Sequence, residues 1–215
     1  ELLELSPYMW ADPEVKVIGI GRPGRIRRSD RQQLEKLWAS AGGDEHYKLL
    51  MERYENRPDK SIKKKDWHPP DLTADELYML HLTRNVHVYK RGATMGGVGT
   101  KFCPDRGGTR GNNSCIKTEF KGAKGPEWAY GIIRRLFVHK LYPSHEGRVI
   151  IQCDWYSEAT ELTRRPELVA IRRNDELTEE HKFEFLDQCH AQNLMFVINA
   201  DDRFGGIVLD RKNQY

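Results

Sequence analysis

Apolar positions recur with two different periods along this chain, and the change of period divides it into a helical beginning and a strand-rich remainder. Val15 to Ile20 is a short β-prone run, followed by a turn rich in glycine and arginine. Leu34, Leu37 and Trp38 then stand at i, i+3 and i+4, one face of a helix. Ser29-Asp30, just before it, is the expected cap. Ala41-Gly42-Gly43-Asp44 stops that helix, and Tyr47, Leu50, Met51 and Tyr54 mark one face of a second. Residues 56–72 read as a linker, with Pro58, Lys63-Lys64-Lys65 and Pro69-Pro70. Thr73, with Glu76 three residues on, carries the capping-box signature of a short third helix.

After about residue 84 the pattern becomes that of strands. Val86 to Tyr89 is β-prone, and residues 92–114 are rich in Gly and Asn, the composition of a long loop. Trp128 to His139 and Arg148 to Tyr156 are aromatic and β-branched runs joined through Pro143 to Gly147, which predicts a hairpin with a loop. Leu168 to Ile171, Phe183 to Leu186, Leu194 to Ile198 and Gly206 to Leu209 add short strands. Short strands at this spacing predict a small β-barrel or a strongly bent sheet. The expected class is therefore α+β: a helical segment over 1–55, a basic, proline-rich linker over 56–72, and a β-rich domain over 73–215. No internal repeat is visible.

The composition narrows the class. The 215 residues are 38% hydrophobic and 31% charged, and no run of about 18 apolar residues exists to span a membrane. Five tryptophans exceed what a disordered tail carries. The start at Glu1 and the end at Tyr215 read as the edges of a piece of a longer protein. Four cysteines, at 103, 115, 153 and 189, lie at least 12 positions apart, unlike a disulfide framework or a zinc ribbon. Reduced thiols in an intracellular compartment are expected, with no metal and no cofactor.

A net charge of +3 conceals an uneven distribution. Lys101 to Arg148 holds ten Lys/Arg against four Asp/Glu, whereas Glu158 to Asp187 holds five against nine. Three basic clusters could track phosphates: Arg22, Arg25, Arg27 and Arg28; Lys63, Lys64 and Lys65; and Lys101, Arg106, Arg110, Lys121 and Lys124. Trp67, Trp128 and Tyr130 are interleaved with them. The competing reading is a set of solvated surface cations.

Enzymatic signatures fail their context tests. Gly19-Ile-Gly-Arg-Pro-Gly24 matches G-x-G-x-x-G, but helices and a linker follow instead of the second strand that a dinucleotide site requires. Asp154 ends an apolar strand as a nuclease carboxylate would, yet neither Glu158, Glu161, Asp201 nor Asp202 stands at a comparable strand end. No G-x-S-x-G, H-E-x-x-H or Walker loop is present.

The segment from Leu72 to Gln214 resembles the accessory domain near the C-terminal end of transposases encoded by plant CACTA-type (En/Spm) transposons. Leu72-Thr-Ala-Asp-Glu-Leu77, Tyr89-Lys-Arg-Gly-Ala-Thr-Met-Gly-Gly-Val-Gly-Thr-Lys-Phe102 and Thr109-Arg-Gly-Asn-Asn-Ser-Cys-Ile116 carry part of the likeness. Tyr130-Gly-Ile-Ile133 with Val149-Ile-Ile-Gln-Cys-Asp-Trp-Tyr156 is its most specific part, and Phe183-Glu-Phe-Leu-Asp-Gln-Cys-His-Ala-Gln-Asn-Leu-Met-Phe-Val197 its last. Gly99-Thr100 departs from the Arg-Phe pair usual in that family. The strand pair also resembles bromo-adjacent homology domains, bent-sheet modules that bind chromatin or protein partners. The resemblance implies an SH3-like or bromo-adjacent-homology-like sheet or barrel outside any catalytic core. It also implies a nuclear, non-catalytic module contacting DNA, chromatin or a partner subunit. A structural domain within a larger assembly and a metal-dependent nuclease fragment are the alternatives. Trp128, Tyr130, Trp155 and Tyr156 are then either core residues or the rim of a partner groove.

Overall fold

The computed structural model describes residues 15–58, 61, 67–94, 101–104, 114–122, 125–159, 168–173, 182–189, 194–197 and 206–210. In chain order the first strands are β1 (Val15–Ile18), β2 (Arg22–Arg25), β3 (Asn85–Tyr89), β4 (Arg91–Thr94), β5 (Lys101–Phe102) and β6 (Cys115–Gly122). Six more follow: β7 (Gly125–His139), β8 (Arg148–Ala159), β9 (Leu168–Arg173), β10 (Phe183–Phe185), β11 (Leu194–Val197) and β12 (Gly206–Asp210). The helices are α1 (Arg31–Trp38), α2 (Glu45–Glu55) and α3 (Ala74–His81). The class is α+β. Two compact units result: a helical unit of Pro23–His87 with Val138–Arg148, and a sheet unit of Glu1–Arg22, Val88–Phe137 and Val149–Tyr215. No helix among the described residues is long and apolar enough to cross a membrane.

In the helical unit the two periodic stretches form helices as their spacing requires, and the third helix follows the Thr73 capping signature. Leu34, Leu37 and Trp38 of α1, and Tyr47 and Leu50 of α2, are buried. The expected cap at Ser29-Asp30 is not formed. A turn of 3-10 helix (Arg28–Asp30) leads into α1, so Asp30 already has helical backbone (φ −91°, ψ −4°) and makes no side-chain cap bond. Capping needs an extended backbone that lets the side chain fold back onto the free N–H groups. Asp30 is instead buried and accepts a bond from Ser29 Oγ at 3.1 Å.

Gly43 closes α1 for a steric reason. A Cβ there would fall onto the Trp38 carbonyl, which accepts the Asp44 N–H at 2.9 Å. Asp44 then caps α2, its Oδ1 accepting from Tyr47 N at 2.8 Å. The predicted capping box of α3 is present in both directions: Thr73 Oγ1 accepts from Glu76 N (3.2 Å), and Glu76 Oε2 accepts from Thr73 N (2.8 Å). The bond from the Thr73 backbone, and then one with His46, hold the Glu76 carboxyl below the usual carboxylate range. The end of the compositional linker packs on α2. Trp67 stacks on Tyr54 with ring centroids 6.0 Å apart, and Pro69 is buried.

The sheet unit holds an antiparallel path in the order β11-β12-β9-β8-β7, with β6 beside β7 and β10 beside β8. A separate three-stranded sheet runs β1-β4-β5. Strand β4 thus covers the start, and β5 part of the interior, of the stretch 92–114 whose Gly and Asn content reads as loop. The barrel expectation is corrected to open sheets. Strand β11 comes within 8 Å of β6 between Cα atoms, so the sheet curls, but no ladder between them is present among the described residues.

Burial on both faces explains the continuous apolar runs. One face of β7 and β8 gives Ala129, Ile133, Ile151, Cys153 and Trp155 to a core with Ile116, Leu136, Leu186 and Cys189. The other gives Tyr130 and Ile132 to a core with Cys115, Val169, Ile171 and Val208. A sheet covered on both sides needs no polar face, so strict alternation disappears. Gly131 belongs to the same packing. A Cβ there would stand 2.8 Å from the Trp155 indole, which lies against the bare backbone.

Candidate nucleic-acid interface

The arginine run that follows Gly19 is positioned by one buried residue. Ile26 is 1% exposed, and its N–H donates to the Arg84 carbonyl at 2.9 Å. Arg84 answers through its guanidinium, which donates to the Ile26 carbonyl at 3.4 Å. In extended backbone neighbours point to opposite sides, so turning Ile26 inward turns Arg25 and Arg27 outward. Arg27 has the extended conformation (φ −60°, ψ 149°), and Arg28 follows in the 3-10 turn. Arg22, Arg25, Arg27 and Arg28 are all exposed. Among the described residues none of the four pairs with a carboxylate, whereas Arg31, Arg53 and Arg134 pair with Glu35, Glu76 and Asp154.

The other predicted cations are distributed differently. Lys101 lies on β5 and Lys121 on β6, both in the sheet unit, and not in the helical unit with Arg25, Arg27 and Arg28. Lys63, Lys64, Lys65, Arg106, Arg110 and Lys124 lie outside the described residues.

Of the four groove aromatics, two are core. Tyr130 is 2% exposed and Trp155 1%, so neither offers a face to a partner. They point into the two cores described above, and Lys117 Nζ stands 5.5 Å from the centre of the Tyr130 ring. Tyr156 is half-buried against the same core as Tyr130. Trp128 lies on β7. Asp154 accepts from Arg134 Nε at 2.6 Å, both side chains being about half exposed (45% and 40%). Among the described residues no group of three or more His, Cys, Asp or Glu is placed to hold a metal ion.

Sequence reasoning passed over Arg134 and Arg135. The signal was present: two adjacent charges interrupt a run, Trp128 to His139, that is otherwise suited to burial. Comparison with protein-family models, with curated proteins and with solved structures finds no match for this chain.

Proposed function

We propose that this chain is a non-catalytic interaction module that contacts nucleic-acid phosphates through Arg25, Arg27 and Arg28. One observation carries the reading: these arginines are exposed beside a buried anchor, with no carboxylate partner among the described residues. Guanidinium groups presented in this way suit phosphate oxygens, which they meet with forked, charge-assisted bonds. The resemblance to a transposase accessory domain, and the nuclear setting it implies, support the same reading.

The test is binding of fluorescent duplex DNA by anisotropy across a salt series. Three phosphate contacts give a slope of log affinity on log salt near −3, from about −0.9 per contact. Alanine at Arg25, Arg27 or Arg28 lowers the slope by about one each and weakens all sequences alike. A slope near zero sinks phosphate contact and leaves a protein partner as the reading.

A further inference from the structure

A second basic site lies in the sheet unit. Val88, Tyr89, Lys90, Pro104, Arg134 and Arg135 line a cleft of about 370 Å³. Small-molecule sites span about 300–1,000 Å³, so this volume suits a compact ligand. Two neighbouring arginines on one strand ordinarily face opposite ways. Here the alternation slips: Ala129 and Ile133 share a core with Leu136, an odd step of three residues after Ile133. One extra residue in a strand produces such a slip and re-aims side chains. Arg134 and Arg135 stand within it, and both reach the cleft.

The charges specify the ligand. Asp154 neutralises part of the Arg134 charge. Among the described residues Lys90 and Arg135 pair with no carboxylate; the Arg135 guanidinium lies 5.9 Å from the centre of the Phe137 ring. Among the described residues, three cations against one carboxylate leave two positive charges, which match a phosphate monoester of about −1.5 to −2 at neutral pH. Val88, Tyr89 and Pro104 add an apolar wall against which a base can lie; Tyr89 is half-buried, its side chain also packed against the core of β7 and β8. We infer that the Lys90–Arg134–Arg135 cleft binds a nucleotide through its terminal phosphate. The nucleotide is either free or the 5′-phosphorylated end of a strand. The site draws on none of Arg25, Arg27 and Arg28.

Titration calorimetry with the whole chain tests this, using AMP, adenosine, inorganic phosphate and a short single-stranded oligonucleotide with and without a 5′-phosphate. Saturable binding of AMP or of the 5′-phosphorylated strand is expected, tighter than inorganic phosphate and absent with adenosine. Whichever phosphate ligand binds tighter identifies the source. Lys90→Ala and Arg135→Gln each weaken binding about tenfold, the size of one charge-assisted contact. Asp154→Asn strengthens it several-fold by removing the negative charge beside Arg134, a gain that damage to the fold would not produce. The triple alanine variant of Arg25, Arg27 and Arg28 retains AMP binding even if the duplex reading fails. The inference is overturned if neither phosphate ligand saturates, if inorganic phosphate binds as tightly as both, or if Lys90→Ala and Arg135→Gln bind like the parent.

Discussion

His139 makes the helical unit acid-sensitive, and the size of the effect follows from two hydrogen bonds. Trp38 Nε1–H donates to His139 Nδ1 at 3.0 Å, and His139 Nε2 faces the Thr83 carbonyl at 2.8 Å. A carbonyl only accepts, so the ring proton sits on Nε2 and Nδ1 carries the lone pair. Protonating Nδ1 would set two N–H donors against each other inside a site with no exposure. Burial pushes the His139 pKa down from 6.5 to about 4, outweighing the opposing effect of the Thr83 bond. The unfolded chain therefore takes up this proton near pH 6.5, whereas the folded chain does so only near pH 4. Stability is complete above pH 6.5 and falls as the pH drops between those values. The total loss is about 3 kcal/mol, at 1.36 kcal/mol per pH unit. Urea unfolding at pH 7.5 and 4.5 measures it, with a His139→Gln variant to remove the contribution of other groups, Glu76 among them. The parent is expected to lose about 2–3 kcal/mol more than the variant over this interval. A His139 titration midpoint near 6.5 by NMR, or equal losses in parent and variant, would refute the reasoning.

Three other outcomes are expected. Gly131→Ala drives a methyl into the Trp155 indole and destabilises by about 1–3 kcal/mol, as overpacking does; thermal unfolding checks it, with Trp155→Phe in the same background recovering part of the loss. Thr73→Ala removes the hydroxyl acceptor of the α3 capping box and costs about 1 kcal/mol, read by urea unfolding, while Thr73→Ser costs only a few tenths. Burial raises the Cys153 and Cys189 thiols well above the ordinary range, so both resist alkylation in the folded state. Half-buried Cys103 reacts first, and mass spectrometry after brief iodoacetamide treatment distinguishes them.

The helices, the α3 capping box and most strands were legible in the sequence because each depends on residues within a few positions of one another. A helical stripe such as Leu34, Leu37 and Trp38 needs only its own spacing, and Thr73 needs only Glu76. The β-branched runs around Ile133 and Ile151 likewise announce strands. Their burial on both faces required the ladders that bring β6, β9 and β10 beside them. Tertiary structure decided what distant pairing controls. It placed Tyr130 and Trp155 in cores, left the curled sheet open, and replaced the Asp30 cap with a 3-10 turn. It also assigned Lys101 and Lys121 to the sheet unit and Arg25, Arg27 and Arg28 to the helical unit, since net charge carries no information about which unit a cation joins. Arg25 and Arg27 face outward because Ile26 is held by Arg84, 58 positions away. Arg134 and Arg135 share a cleft because the alternation of β7 slips, a shift visible only once the cores on its two faces are formed.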